Sequence, residues 1–185
     1  SNLTVERRTY VAKHELLPEE KFCLEGCGTY EQYFQMRKGF EEDSCIFCDL
    51  DRELNHVLFE DKHVYAWLVP RAYMRKELAY HALFVPKRHI RMERDVTSAE
   101  VLSIHHAKRL LHREHGYRGG ITHVREGDMG LNAGTVPHLH YNTFMPNGTG
   151  EVRIPVFKDQ KDREANRVRA EGFARRYASK KSSKR

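Results

Sequence analysis

The sequence has no long apolar run, and this absence argues against an integral membrane protein. None of its runs approaches the ~18 consecutive apolar residues that a membrane-spanning helix needs. A signal-peptide pattern is also missing, since Arg7, Arg8 and Lys13 interrupt the first segment. With 39% hydrophobic and 31% charged residues in 185 positions, the composition predicts a cytoplasmic protein with one domain of ordinary size and polar extensions.

Cysteine is scarce, and its context argues against a disulfide framework. The four cysteines are Cys23, Cys27, Cys45 and Cys48. In a chain without a secretion signal, metal binding is the better interpretation of close cysteine pairs. The Cys45-x-x-Cys48 pair would supply two ligands from one small loop. The Cys23–Cys27 segment would hold a second metal or, as the favoured alternative, two partly buried thiols.

Positive charge is concentrated in the C-terminal segment. Residues 157–185 contain eleven Lys or Arg against four Asp or Glu, so this segment carries +7 and the rest of the chain −1 of the total of +6. The excess therefore says little about a site elsewhere in the chain. We expect a helix over residues 159–178, and a disordered tail over residues 179–185.

Residue patterns predict a sheet with at least one packed helix. The β-like runs are residues 56–59, 64–69, 81–85, 121–125 and the stretch from residue 138. Thr97 and Glu100 form a capping-box signature, and helical spacing of apolar residues follows it. A further short helix is predicted over residues 31–40.

The most informative stretch is Thr135-Val136-Pro137-His138-Leu139-His140-Tyr141-Asn142-Thr143-Phe144-Met145-Pro146. Period-two alternation predicts a strand with His138, His140 and Asn142 on one face. A strand holds side chains more precisely than a loop does, which suits metal ligation or covalent catalysis. The preceding turn, residues 132–135, would present backbone N–H groups to an anion.

These segments resemble the histidine triad (HIT) superfamily over about residues 45–150. His138-Leu139-His140-Tyr141-Asn142 resembles the His-x-His-x-His signature, with Asn142 in the third position. The Cys45–Cys48 pair and the run His81-Ala82-Leu83-Phe84-Val85-Pro86-Lys87-Arg88-His89-Ile90 agree with two further family segments, in the family's order.

The resemblance implies an α+β, HIT-like fold, with an antiparallel sheet of about five strands and packed helices. It places the catalytic domain at residues 45–156, between an N-terminal extension (1–44) and a C-terminal helix with a basic tail (157–185). It also implies a homodimer that acts on a nucleotide or dinucleotide and has no membrane partner.

The implied activity is that of a nucleotidyl hydrolase or nucleotidyltransferase acting on a nucleotide phosphoanhydride or phosphoramidate. His140 would attack the α-phosphorus while its Nδ1–H is donated to the carbonyl of His138, with Asn142 in support. Substrate contacts are expected from one group of residues: Asn132, Gly134, Thr135, His81 and Trp67. The alternatives are that the turn residues only satisfy the turn, that His81 has no chemical role and that Trp67 is core.

The resemblance also implies a structural zinc site. Its ligands would be the cysteine pair, the histidine after the proline turn and the first motif histidine, namely Cys45, Cys48, His89 and His138. Zinc favours thiolate and imidazole ligands in a tetrahedral site. Four protein ligands leave no open position for substrate. The alternative is a solvent-facing His89 and packed thiols.

Two departures from the family leave the reaction open. Asn142 is an amide, which binds phosphate oxygens but carries no proton at neutral pH, and this favours the transferase branch, which carries glutamine there. The strand end Trp67-Leu68-Val69-Pro70 lacks the acidic residue that often holds the ribose. These departures favour a non-catalytic nucleotide-binding module as the first alternative. A DNA- or RNA-end-processing enzyme using the basic tail is the second.

Overall fold

The computed structural model of the chain describes residues 24–42, 44–132, 134–154, 156 and 160–182. Five strands form one antiparallel sheet in the order β1-β2-β3-β5-β4. The strands are β1 (Val57–Glu60), β2 (Val64–Leu68), β3 (Leu78–Pro86), β4 (Ile121–Arg125) and β5 (His140–Pro146). The helices are α1 (Tyr30–Glu41), α2 (Ser98–Glu114), α3 (Met129–Asn132) and α4 (Gln160–Ser182). None of the described helices has both the length and the apolar character that crossing a membrane requires.

The predicted α+β fold with a five-stranded antiparallel sheet is confirmed. Strand β5 lies inside the sheet between β3 and β4. It begins at His140, so His138, which was predicted to share the strand, precedes it. Asn142 is opposite Leu83 on one neighbour and His123 on the other. An inner strand has hydrogen-bonded neighbours on both sides, which fixes the directions of its side chains.

One face of the sheet packs on α2 and forms the main apolar core. Its buried members come from alternate positions of three strands: Val64, Ala66, Ala82, Phe84, Tyr141 and Met145. Ile104, Ala107 and Leu111 of α2 cover them at helical spacing. Helix α2 begins with the predicted capping box, in which Thr97 and Glu100 bond to each other's backbone N–H groups.

The other face of the sheet is covered by α1 and by the loop of residues 45–48, called the cysteine loop below. A second apolar cluster lies here and includes Tyr33 and Met36 of α1, Phe47 of the loop, and Trp67. The motif residues His140 and Asn142 are on this face, because they alternate with Leu139 and Tyr141 along the strand.

Helix α4 packs on α1 through aromatic rings. Phe173 lies 5.8 Å from the ring of Tyr33 and 6.1 Å from that of Tyr30, measured between ring centroids. Near the end of α4, the guanidinium of Arg176 lies 3.9 Å from the Tyr30 ring centroid, and Lys181 Nζ lies 3.4 Å from Glu41.

The sequence-based prediction of disorder from residue 179 was wrong for residues 179–182, which belong to α4. The contacts between α4 and α1 extend the helix beyond the point at which composition alone predicts its end. Residues 183–185 lie outside the described residues.

Candidate active site

His140 is the first residue of β5, and a backbone carbonyl fixes its tautomer. Its Nδ1 lies 2.7 Å from the carbonyl oxygen of His138, so Nδ1–H donates and the lone pair is on Nε2. The residue is only 6% exposed. Burial lowers the pKa of His140 to about 4, with the nearby imidazole of His138 and the guanidinium of Arg125 acting in the same direction. A neutral imidazole held in this way is a competent nucleophile.

Phe47, in the cysteine loop, holds the two motif histidines in place. Its ring meets His140 edge-on with centroids 5.1 Å apart, and it meets His138 at 5.9 Å. The same ring contacts Trp67 at 5.7 Å. The loop between the two cysteines therefore packs directly against the histidine strand.

Cys45, Cys48, His89 and His138 converge on one point, with their ligand atoms all within 4.8 Å of one another. His138 Nδ1 lies 3.5 Å from the sulfur of Cys45 and 3.6 Å from that of Cys48, and His89 Nδ1 lies 3.2 Å from the Cys48 sulfur. Thiolate and imidazole ligands of a tetrahedral zinc, at ~2.3 and ~2.0 Å from the metal, lie about 3.5 Å from each other. The group therefore fits a tetrahedral metal ion.

Protonation in this group also suits a metal ion. His138 Nε2 lies 2.9 Å from the carbonyl oxygen of Pro86, so Nε2–H donates and the Nδ1 lone pair points towards the sulfurs. The hydrogen bond between the two sulfurs lowers the pKa of Cys45, which His138 and His89 lower further, and it raises the pKa of Cys48, so that Cys45 carries the thiolate. Metal ligation requires such a thiolate.

Asn142, in the third motif position, is oriented by His81. Its Oδ1 lies 3.0 Å from His81 Nε2, which donates in the tautomer protonated there. Burial lowers the pKa of His81 to about 4, so this imidazole is neutral at pH 7. The Asn142 amide oxygen is therefore occupied, and its NH2 group is left to face other partners.

A cavity of about 470 Å³ lies above this face of the sheet. His140 and Asn142 line it from the sheet, and Gln32 and Met36 of α1 line it from the opposite side. This volume is that of a small-molecule site. Helix α1, within the predicted N-terminal extension, therefore forms part of the cavity wall.

The turn of residues 132–135, which precedes the histidine motif, has some residues in the cavity wall and one that bonds within the turn. Gly134 and Thr135 line the cavity, and the Thr135 hydroxyl accepts a hydrogen bond from Gln32 Nε2 at 3.4 Å. The Asn132 amide is used inside the turn: its Oδ1 accepts from the Gly134 N–H at 2.6 Å and its Nδ2 donates to the Glu126 carbonyl at 2.5 Å. Among the predicted substrate contacts, Asn132 is thus the one committed to local structure.

The other predicted contacts also have defined positions. Trp67 lines the cavity but is 1% exposed, so most of its ring is core, whereas His81 lines the cavity beside Asn142. Of the second cysteine pair, Cys27 is buried near α1 and Cys23 lies outside the described residues. A metal site at that pair stays a prediction.

Sequence reasoning missed the basic residues that β4 contributes. His123 is opposite Asn142, and Arg125 is opposite His140. Arg75 lines the same cavity. Burial lowers the pKa of Arg125 to about 10, which leaves its guanidinium charged at pH 7. The available signal was the alternation of β4, which puts positions 123 and 125 on one face.

The solved structures to which this chain is similar include histidine triad proteins. A HIT family hydrolase from Legionella pneumophila is 24% identical, with 60% of this chain and 98% of that chain covered and a TM-score of 0.45. A HIT family hydrolase from Clostridium thermocellum is 27% identical, with 58% and 95% covered and a TM-score of 0.45. A Zn-bound histidine triad family protein from Mycobacterium smegmatis is 20% identical, with 74% and 97% covered and a TM-score of 0.42.

The chain resembles the histidine triad superfamily in its motifs, and these solved structures carry that family's name. No protein-family model and no curated protein matches the chain. The TM-scores are below 0.5, so the proposals below rest on the motifs and geometry of the chain itself.

Proposed function

We propose that the protein is a nucleotidyl hydrolase or nucleotidyltransferase that works through a covalent intermediate on His140. The observation that carries the proposal is the tautomer of His140. Its Nδ1–H is bound to the His138 carbonyl at 2.7 Å, which leaves the Nε2 lone pair for attack in a cavity of about 470 Å³.

The substrate is a nucleotide with a phosphoanhydride or phosphoramidate bond. The charged groups at the reacting end of the cavity support an anionic substrate, since Arg75 and Arg125 line it together with three imidazoles, those of His81, His123 and His140. Phosphoryl transfer needs mainly positioning and charge stabilisation, which this end of the cavity supplies.

In the first step, Nε2 of His140 attacks the α-phosphorus and a P–N bond forms. The bond from phosphorus to the leaving group breaks, and the leaving group takes the electron pair. The His138 carbonyl, bound to Nδ1–H, stabilises the positive charge that develops on the ring. In the second step, the oxygen of water or of another acceptor attacks phosphorus and loses its proton to solvent. The P–N bond breaks, and Nε2 recovers its lone pair.

A structural zinc ion accompanies this proposal. Cys45, Cys48, His89 and His138 would hold it as four protein ligands, which leaves no coordination position for substrate. Its effect would be positional, because these ligands would join the cysteine loop, which contains Phe47, to His138, whose carbonyl fixes His140.

The test is intact-mass measurement after brief mixing with nucleotide substrates, quenched at alkaline pH. The panel contains an adenosine phosphoramidate, a dinucleoside polyphosphate and a uridine diphosphate sugar. A nucleotidyl adduct that is lost in His140→Gly supports the proposal and identifies the nucleotide. Persistence of the adduct until an acceptor is added distinguishes a transferase from a hydrolase.

No adduct and no product from folded, metal-loaded protein would overturn the proposal. A binding module would then be the better interpretation. Such a module is stabilised by nucleotides without converting them.

A further inference from the structure

Two polar side chains beside His140 have buried hydrogen-bonding atoms without partners among the described residues. Nδ1 and Nε2 of His123 and Nδ2 of Asn142 are sealed from solvent, and none has a hydrogen-bond partner among the described residues. An unsatisfied buried polar group costs about 1–3 kcal/mol. In the wall of a cavity, such atoms mark the place where a polar ligand binds.

The two side chains are neighbours on adjacent strands. His123 of β4 is directly opposite Asn142 of β5, so both side chains are on the cavity face, with Cβ atoms about 5 Å apart. The ring of Phe144 separates His123 from His81, with centroid distances of 4.8 and 4.5 Å. The Asn142 amide oxygen is already bound to His81, so its NH2 group is the part available to a ligand.

The unpartnered atoms define the chemistry of that ligand. The Asn142 NH2 group can only donate, and a neutral imidazole has one N–H to donate. The charged and titratable groups that act on His123 are all basic, namely Arg125, His140, His81 and Arg75. A negatively charged ligand rich in hydrogen-bond acceptors, such as a phosphate, satisfies the Asn142 NH2 group and the N–H of His123. The second ring nitrogen of His123 is an acceptor in the neutral imidazole and takes a hydrogen bond from a separate donor such as water.

We infer that His123 is a further catalytic residue, which donates an N–H to a non-bridging oxygen of the phosphate that His140 attacks. Asn142 donates to the same phosphate through Nδ2. The inference rests on the proposed function and deepens it: Asn142 stands in the third position of the HIT-like motif, and His123, opposite it on β4, adds a second donor beside it. Donors fixed in advance on rigid strands stabilise developing charge without reorganisation.

The protonation state of His123 fits this role. Burial lowers the pKa of His123 to about 3, and Arg125, His140, His81 and Arg75 act in the same direction. The imidazole is therefore neutral at pH 7 and donates one N–H without adding a charge to the cavity.

Two substitutions separate hydrogen bonding from packing. His123→Gln keeps an N–H donor, whereas His123→Phe keeps an aromatic ring and loses the donor. The measurement is the single-turnover rate of adduct formation at saturating substrate, with the panel member that labels the wild type best. We expect His123→Phe to slow the maximal rate by about 10²-fold and His123→Gln by no more than about tenfold. The substrate concentration that gives half of the maximal rate, measured in a titration, should change less than the rate itself.

His112→Phe is the matched control. His112 also has a buried nitrogen, Nε2, without a partner among the described residues, but it contacts Tyr80, Phe84 and Tyr117 on the opposite face of the sheet. Its rate should equal that of the wild type. Melting temperature and metal content, measured for every variant, confirm that each has folded.

A packing role predicts the reverse order, with His123→Phe faster than His123→Gln. That order, or a His123→Phe rate within about threefold of the wild type, would overturn the inference while leaving the proposed function intact.

If the wild type forms no adduct, the proposed function fails, and calorimetric binding of AMP and UMP tests His123 separately. Affinity lost in His123→Phe and kept in His123→Gln would support the phosphate contact. Equal affinities in both variants, or no binding to the wild type, would overturn it.

Discussion

The two faces of the sheet use the same strands in different ways. On the α2 face, β5 contributes Tyr141 and Met145 to a continuous apolar core, which Leu139, just before the strand, also joins. On the opposite face, the same strand contributes His140 and Asn142 to a cavity with basic groups. Because successive side chains of a strand point to opposite faces of the sheet, neighbouring residues of β5 belong alternately to the apolar core and to the cavity. Substitutions on the α2 face should change stability, and substitutions on the cavity face should change chemistry.

The largest effect is expected from His140→Gly. Loss of the nucleophile should lower the rate of adduct formation by about 10⁴-fold or more, because no other group supplies the covalent step. The measurement is adduct formation by intact mass, with unfolding followed by circular dichroism. A variant that keeps more than a tenth of the rate would contradict the assignment of His140.

Disrupting the metal group, which consists of Cys45, Cys48, His89 and His138, should affect both stability and chemistry. Cys45→Ser should lower the metal content below one equivalent and reduce the melting temperature, since binding to four ligands contributes to folding free energy. The control is Ser44→Ala, which changes the residue before Cys45, removes no residue of the metal group and should leave metal content unchanged. Elemental analysis of protein purified without added zinc provides the measurement, and folded protein free of metal would disprove the site.

Leu111→Ala should affect stability alone. Leu111 is 1% exposed in the core on the α2 face, and such truncations cost about 2–5 kcal/mol of the free energy of unfolding. Adduct formation per folded molecule should not change below the melting transition. Leu102→Ala is the control, because Leu102 is 71% exposed on the same helix. Denaturant unfolding measures the effect, and a matching loss of catalytic rate would show that the two faces are coupled.

Glu100→Gln should give a smaller loss of stability. The Glu100 carboxylate is buried and accepts hydrogen bonds from Arg88 at 2.8 Å and from the Thr97 N–H at 2.8 Å. Losing these charged interactions should cost about 1.5–3 kcal/mol, whereas the exposed control Glu114→Gln should cost less than about 0.5 kcal/mol. Denaturant unfolding at pH 7 distinguishes the two variants.

Glu100 also predicts a pH dependence. Burial raises the pKa of Glu100, but the bonds from Arg88 and Thr97 outweigh burial and hold the pKa below its usual value. The stabilisation is therefore complete above the unfolded-state pKa of ~4.3 and is lost as the pH falls through the folded-state value. An unchanged difference between wild type and Glu100→Gln at pH 7 and pH 3 would contradict this.

The smallest effect is expected from His123 between pH 7 and pH 5. Its folded-state pKa, about 3, is below the unfolded-state value of ~6.5, so the unfolded chain binds a proton first and stability falls as the pH drops. Wild type should lose about 2 kcal/mol more than His123→Phe over this range. Because both proteins keep the metal group, the difference isolates His123. Equal losses in both proteins would show that His123 does not titrate as expected.

Much of the cavity face could be predicted from the sequence because its signals are local. The His138-x-His140 alternation predicted the strand, and the metal group follows from three short motifs. The contribution of β4 was missed, because the placement of His123 opposite Asn142 depends on the β3-β5-β4 strand order, which no local pattern specifies. The end of α4 was missed for a similar reason, since its contacts with α1 join residues far apart in sequence.

The pairing of α1 with α4 has a consequence for how the protein is made. Helix α1 emerges early from the ribosome, but the aromatic rings that it packs against, at Phe173 and Tyr177, are synthesised about 140 residues later. The sheet and the metal group can form before then, because all of their residues precede α4. Closing so long a loop is a late event in folding. Any metal held by Cys45, Cys48, His89 and His138 would therefore bind before α4 completes the packing around α1.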